Sequence, residues 1–412
     1  MSSLSFVFVS LQRINTDRES TSTAIAKELA KVHNVLYVNP PIDRRTYWFG
    51  SDDQYVAQHI DLVKRKNVSN HLEKGEGNLW VLTPLNIIES INWIPSTRIF
   101  RFLNKRNNGI FSREIREALN QIGFSEFILV NDKDIFRSFY LKELLRPRLC
   151  VYLDRDYIVG MDYWKRHGSK LEPDLYAKSD LVLCNSPGFT QRALRYNKKS
   201  FYIGNGTDTT LFDPTRQYEI PYDMKMLTER PIVGYIGALL DIRLDISLLV
   251  YLAKSRPDWN FLLVGPEDDV FANSELHALP NVFFLGKKDN SLVPAYIRYF
   301  DVCINPQIRN SITEENFPLK INEYLAMGKP TVATTTHFMQ QVFSSVVGLA
   351  STKEDFLHYI ERYIESDTQD SVQARIAYSQ SFSWDRISQN VVEIIENQLS
   401  TTNEKKGYED QA

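Results

Sequence analysis

Four apolar residues in a row, Phe6-Val-Phe-Val9, stand near the start of the chain between polar neighbours. A run this short with no polar face predicts a strand buried on both sides. Ser20-Thr-Ser-Thr23 then offers N-cap hydroxyls for a helix over 24–31, and a second apolar run, Val35-Leu-Tyr-Val38, stops at Asn39-Pro-Pro41. Strand, helix, strand is one βαβ unit. The rhythm continues at Leu79–Leu82, Phe127–Val130, Leu149–Leu153 and Leu181–Cys184, with helical patterns between several of them. After Phe212-Asp-Pro214 it loosens as far as Pro221 and then restarts. Strands are expected at Ile232–Ile236, Phe261–Val264, Val282–Leu285, Val302–Asn305 and Thr331–Ala333, with helices over 239–254 and 318–327. The expected fold class is α/β, with two Rossmann-like domains built on parallel sheets and a boundary near 210–230.

A length of 412 residues, with 43% apolar and 24% charged positions, fits two globular domains. The net charge of −3 points away from a nucleic-acid partner. Residues 1–213 hold 30 Lys+Arg against 24 Asp+Glu, and residues 214–412 hold 18 against 27. A basic first half fits an anionic acceptor or membrane surface; two solvated faces that differ by chance fit equally. Cys150, Cys184 and Cys303 lie apart in apolar surroundings and read as buried free thiols, and no Cys/His spacing resembles a metal site. No run approaches the roughly 18 apolar residues of a membrane helix, so the expected location is cytoplasmic, with any membrane contact peripheral. Ile91-Asn-Trp-Ile94 and Ile99-Phe-Arg-Phe-Leu103 interleave with Arg98, Arg101, Lys105 and Arg106. That mixture fits either an anionic bilayer surface or a core-facing helix with its basic residues outward.

Ligands of open parallel sheets bind outside the carboxyl ends of the strands. The richest segment there is Glu315-Asn-Phe-Pro-Leu-Lys-Ile-Asn-Glu323, continued by Tyr324-Leu-Ala-Met-Gly-Lys-Pro330. Pro318 suits a first helical turn, which leaves Glu315 and Asn316 in the loop before the helix and Glu323 inside it. The N–H groups near Leu319 and Lys320 could hold a diphosphate, helped by the Lys320 ammonium. Glu323, about one turn on, could accept from ribose hydroxyls, with Glu315 beside the sugar.

This segment resembles the Glu-x7-Glu signature of the large, mostly retaining glycosyltransferase family with the GT-B fold, glycosyl transferases group 1, in its Pro-Leu-Lys subgroup. The resemblance implies that Glu315 faces the donor sugar and Glu323 binds the nucleotide ribose. Ser179-Asp-Leu-Val-Leu-Cys-Asn-Ser186, Asn205-Gly-Thr-Asp208 and Phe212-Asp-Pro214 resemble the same family's strand and interdomain hinge. Val233-Gly-Tyr-Ile-Gly-Ala238 and Phe261-Leu-Leu-Val-Gly-Pro266 are similar to its donor-domain strands, which implies close approach of the donor phosphates at Gly237 and Gly265. Arg243 and Lys287 (or Lys288) become candidate phosphate cations, although Arg243 misses the usual Gly-Arg spacing. Ser383-Trp-Asp385 resembles the start of the returning C-terminal helix. The implied domains are an acceptor domain at 1–210, a nucleotide-sugar donor domain at 211–385 facing it across a cleft, a crossover helix at 386–400 and a mobile tail at 401–412.

The first domain departs from the family. The loop Ser10–Arg18 has no glycine, and none of the seven histidines clearly follows a strand near the sugar site. Asp156, after the run Leu149–Leu153, is therefore a candidate general base for an inverting reaction, or a loop carboxylate paired with Arg155 or Lys165. The expected activity is metal-independent transfer from a UDP- or GDP-type sugar to a glycan or lipid-linked acceptor hydroxyl, in polysaccharide or cell-envelope assembly. Retention is favoured by the Glu-x7-Glu string. A GT-B-like nucleotide-sugar epimerase and a catalytically silent nucleotide-sugar-binding protein remain alternatives. A dinucleotide-dependent dehydrogenase does not fit, because no Gly-x-Gly-x-x-Gly follows the first strand.

Overall fold

A computed structural model describes residues 3–16, 20–65, 71–310, 313–314 and 316–409, with side chains as far as Thr401. The chain divides into two compact units, residues 1–204 with 387–412, and residues 205–386.

The first unit carries an eight-stranded sheet. Its strands are β1 (Ser5–Ser10), β2 (Asn34–Val38), β3 (His71–Lys74), β4 (Leu79–Thr83), β5 (Ile128–Asp132), β6 (Leu149–Asp154), β7 (Leu181–Cys184) and β8 (Ser200–Tyr202), in the order β3-β4-β2-β1-β5-β6-β7-β8. All neighbours are parallel except β3, which pairs antiparallel with β4. The apolar runs form the buried centre, so Phe6 to Val9, Val35 to Val38 and Val151 to Leu153 are at most 2% exposed. The first helix, Thr21–Ala30, starts where the hydroxyl cluster predicts, with Ser20 and Thr23 forming a reciprocal cap.

The second unit carries six parallel strands, β9 (Ile232–Ile236), β10 (Asn260–Val264), β11 (Val282–Phe284), β12 (Val302–Asn305), β13 (Thr331–Thr334) and β14 (Gly348–Ala350), in the order β11-β10-β9-β12-β13-β14. Alternate residues of β9 and β12 feed two cores. Ile232, Ile236 and Cys303 pack with Ile321, Tyr324 and Leu325 on one face, and Val233, Tyr235 and Ile304 pack with Leu248, Leu249 and Leu252 on the other. All three cysteines are free and buried, as expected.

Several elements differ from the sequence expectation. The strands β3, β8 and β14 are additional, each three or four residues long. The helix expected over 239–254 begins only at Ile246, capped by the Asp245 carboxylate, which accepts from the Leu248 N–H. Leu239 and Leu244 are buried in the preceding loop, whose backbone pairs with Pro266 and Pro306 instead. Pro318 is the N-cap of the helix Leu319–Ala326 rather than part of its first turn. The last helix, Trp384–Glu409, covers the backbone of most of the tail expected at 401–412; residues 410–412 lie outside the described residues.

Candidate active site at the strand ends of the second unit

The strands β9 and β10 end on Gly237 and Gly265, whose backbones touch. The Gly237 N–H donates to Val264 O at 2.9 Å, and a Cβ on Gly265 would fall 1.9 Å from Gly237 O. Both residues have positive φ, 145° and 152°, so side chains are excluded by conformation as well as by space. The turn therefore presents bare backbone.

Lys320 reaches this turn from the helix Leu319–Ala326. Its Nζ donates to Tyr235 Oη at 2.7 Å and lies 4.4 Å from the Tyr235 ring centroid. A Cβ on Gly237 would sit 2.9 Å from that ammonium. No side chain caps the helix, so its first N–H groups, including those of Leu319 and Lys320, have no internal acceptor. Helix and strand are locked in register by Tyr324, whose hydroxyl accepts from the Ile236 N–H at 2.9 Å. Asn322 fixes the buried side, donating to Asn205 O while its own carbonyl accepts from Ser379 Oγ, each at 3.1 Å.

Glu323 lies one turn into the helix and is only partly accessible. Burial pushes its carboxyl up to about 7, the Lys320 charge pulling the other way, and no hydrogen bond within the described residues stabilises its anion. Bare backbone, an open helix N-terminus, a held ammonium and an unsatisfied carboxyl thus share one end of one sheet. That set can bind an anion at the turn and donor hydroxyls beside it.

Other expected residues fall differently. Glu315 lies outside the described residues. Its neighbour Glu314 anchors that loop, accepting from Arg309 Nε at 2.8 Å and from the His337 N–H at 3.0 Å. Asn316 is half-buried in the same loop. Arg243 and Lys287 are exposed, and neither bonds to Lys320, Glu323 or the glycine turn. Lys288 is held by Asp223 at 2.7 Å. Asp156 belongs to the first unit and is paired with Arg155 Nη1 at 2.8 Å, the loop-carboxylate arrangement weighed for it above. Asp208 caps a turn, accepting from the Thr210 and Leu211 N–H groups.

Sequence reasoning missed Tyr235, Tyr324 and Glu314. The two tyrosines sit inside apolar patterns in which nothing marks the hydroxyl. Asn305 carries a signal that was available, as a polar residue ending an otherwise apolar strand. It is fully buried, and neither atom of its amide has a partner among the described residues. A cavity of about 670 Å³ lies instead along the sheet edge at β11, lined by Tyr222, Met226, His277, Phe284 and Leu285 among others, and it includes none of the site residues. Among the described residues no group of three or more His, Cys, Asp or Glu could hold a metal, and no helix is long and apolar enough to cross a membrane.

Comparison with known proteins locates one family match within this unit. Residues 230–366 match the family described as "Glycosyl transferases group 1". A Bacillus subtilis (strain 168) protein named "Putative teichuronic acid biosynthesis glycosyltransferase TuaH" is 33% identical over 199 residues, 46% of this chain and 46% of that one. The chain thus matches about half the length of that relative. Among solved structures, sucrose-phosphate synthase from Thermosynechococcus elongatus superimposes with a TM-score of 0.66 at 16% identity, over 97% of this chain and 100% of that one. Anabaena Alr3699/HepE in complex with UDP gives 0.63 at 15% identity, over 96% and 100%. At such identities the likeness establishes the fold, which is the GT-B fold of two Rossmann-like domains. Residues 230–366, which carry Lys320 and Glu323, are thus similar to the glycosyl transferases group 1 family.

Proposed function

We propose that the protein is a glycosyltransferase, moving a sugar from a UDP- or GDP-type nucleoside diphosphate sugar onto an acceptor hydroxyl in cell-envelope glycan assembly. The observation that carries this reading is the Lys320 ammonium, held over the side-chain-free Gly237–Gly265 turn at an open helix N-terminus beside Glu323. The structural relative HepE was solved with UDP and with UDP-glucose, and the name of the Bacillus relative supports an envelope glycan as product.

In the reaction the bond between the anomeric carbon and the diphosphate oxygen breaks, and the electron pair leaves with the diphosphate. A bond forms from the acceptor oxygen to that carbon, and the hydroxyl proton passes to a base. Lys320 and the N–H groups of Leu319 and Lys320 meet the charge that develops on the leaving group, the role elsewhere taken by a metal. Glu323 orients the ribose, and Glu315 and Asn316 line the sugar. Arg243 and Lys287 are exposed cations in loops leaving β9 and β11 and serve as outer phosphate contacts. The Glu-x7-Glu arrangement favours retention, and the pairing of Asp156 with Arg155 favours the loop-carboxylate reading over an inverting base.

The acceptor end of the proposal includes peripheral contact with an anionic membrane. Trp93, Ile99 and Phe102 are 73%, 54% and 76% exposed, although Ile91, Ile94 and Phe100 of the same stretch are buried. Exposed Trp93, Ile99 and Phe102, close in sequence to Arg98, Arg101, Lys105 and Arg106, favour the bilayer alternative over a purely core-facing helix.

The test is thermal stabilisation by a panel of nucleoside diphosphates and their sugars, on wild type and Glu323→Ala. Stabilisation by one uridine or guanosine species, lost in the variant, is expected. No shift with any nucleotide would remove the donor site.

A further inference from the structure

The loops leaving β1 and β5 of the first unit lie side by side, because Ser10 pairs in register with Asp132. The first loop is pinned at several of its described residues. Ser10 Oγ donates to Asp132 Oδ2 at 2.5 Å, the Gln12 N–H donates to Ser10 Oγ at 3.0 Å, and the Ile14 N–H donates to Asn39 Oδ1 at 3.1 Å. Tyr37 Oη donates to Gln12 O at 3.0 Å. Arg13 therefore stands at a fixed place over the strand ends.

Several cations among the described residues here are matched by carboxylates, and Arg13 is not. Lys133 is held by Asp154 and Glu172, Arg192 by Asp154, Arg155 by Asp132 and Asp156, and Arg137 by Asp134. Arg13 is half-buried, and its guanidinium has a single bond, 3.4 Å long, to the carbonyl of Pro40. No carboxylate among the described residues forms an ion pair with it. Its pKa is pushed down to about 10 by burial and then by the neighbouring positive charge of Arg137, with Asp53 only a partial counterweight. His59 is buried, bonds Pro84 O through Nε2 and has no partner for Nδ1 among the described residues. Burial and the Arg13 charge push its pKa down to about 4, so it adds a polar atom without adding charge. A half-buried guanidinium with one long bond to a carbonyl and no ion pair among the described residues gains from an arriving anion.

We infer that Arg13 binds an anionic group, a carboxylate or a phosphate, carried by the acceptor substrate. A planar guanidinium fork suits either oxyanion. The inference rests on the glycosyl-transfer reading above for the word acceptor, but not for the site itself.

The experiment uses the full chain with four probes: inorganic phosphate, glucose 6-phosphate, glucuronic acid and glucose. Thermal stabilisation and calorimetric affinity are measured for wild type, Arg13→Gln and Arg13→Lys, each with UDP as an independent control. At least one charged probe is expected to stabilise wild type while glucose does not. Arg13→Gln should weaken that binding by tenfold or more and leave the UDP response unchanged, and Arg13→Lys should retain part of the binding. Preference for glucuronic acid assigns a sugar acid, and preference for the phosphates assigns a phosphorylated acceptor. Without ligand, Arg13→Gln should melt no lower than wild type, since it removes an unmatched charge. A lower melting point would mark Arg13 as structural and overturn the inference. So would equal responses to glucose and the anions, equal anion binding in Arg13→Gln, or no response to any anion. Loss of the UDP response in wild type, with anion binding intact, would overturn the transferase reading alone.

Discussion

Both units place their polar groups at the carboxyl ends of parallel strands, yet they treat them in opposite ways. Around β5 and β6, two carboxylates, two cations and two phenols close on one another. Lys133 bonds Asp154 and Glu172, Asp154 also accepts from Tyr176 and Arg192, and Glu172 accepts from Tyr152. Around β9 and β12 the groups stay open, with Glu323 unbonded and the Asn305 amide without partners among the described residues. A closed network contributes to the fold, and an open set is strained until something binds. The difference separates scaffold from site more clearly than burial does, since both sets are largely buried.

The sharpest way to break the comparison is to open the closed network. Lys133 and Asp154 are each at most 1% exposed at the side chain. Against the cost of burial, Lys133 and Arg192 hold the Asp154 carboxyl below its usual range, and Asp154 and Glu172 hold Lys133 above its own. Replacing Lys133 by Met leaves two buried carboxylates facing one arginine. A loss of about 3–5 kcal/mol is expected in urea denaturation, the range for breaking a buried pair. A loss below about 1 kcal/mol would mean that the network is a bystander.

The next largest effect falls on the open side and should leave stability alone. Lys320→Ala removes the cation over the glycine turn, and kcat/KM is expected to fall by about 10²–10³, the loss typical of one donor at a developing oxyanion. The melting temperature should stay close to wild type, because the Tyr235 hydroxyl still reaches Ala238 O, at 3.3 Å. A variant that unfolds early would make Lys320 part of the scaffold.

Glu323 sharpens the contrast through pH. Its carboxyl is raised from 4.5 to about 7 in the folded protein, so between those values the folded state keeps a proton that the unfolded state has lost. Stability from this group is therefore present below pH 4.5, falls as pH rises through the window, and levels off above about 7. Nucleotide binding runs the other way, because ribose hydroxyls are best accepted by the ionised carboxylate. Affinity is expected to drop by about tenfold per pH unit below the pKa and to become flat in Glu323→Gln. Calorimetric titrations between pH 5.5 and 8.5 decide it, and an identical slope in the variant would assign the proton elsewhere.

How much of this could be read from the sequence follows the same divide. Continuous apolar runs such as Phe6–Val9 and Val302–Ile304 announce buried parallel strands, because a strand covered on both faces has no polar side to show. His71–Lys74 does not, since an edge strand is apolar on one face at most, and antiparallel β3 went unseen. The 239–245 stretch reads as helix because Leu239 and Leu244 are apolar, although the Asp245 cap fixes the true start. At the site, the glycine turn, Lys320 and Glu323 were visible as a spaced pattern. Tyr235 and Tyr324 were not, because an aromatic residue in an apolar run gives no sign of what its hydroxyl holds. The unmatched charge on Arg13 was also invisible, since pairing is decided by which loops the sheet order brings together.

Asp156 is where the comparison predicts the least. It sits at the edge of the closed side, 46% exposed at the side chain, with one oxygen on Arg155, whose guanidinium also grips Asp132. A general base must reach the proton it removes, and such a base contributes about 10²–10⁴ in rate. One oxygen of Asp156 is already occupied by the Arg155 guanidinium rather than free for a substrate proton. Asp156→Asn keeps the shape and a hydrogen-bond acceptor for Arg155, so kcat/KM should change by less than about tenfold, the reach of one exposed ion pair. The stereochemistry of the product gives the second reading. A retained anomeric configuration together with an active Asp156→Asn leaves no catalytic task for Asp156. Inversion together with a loss of 10² or more would move the base into the first unit, and its closed network would then have to be reckoned part of the active site.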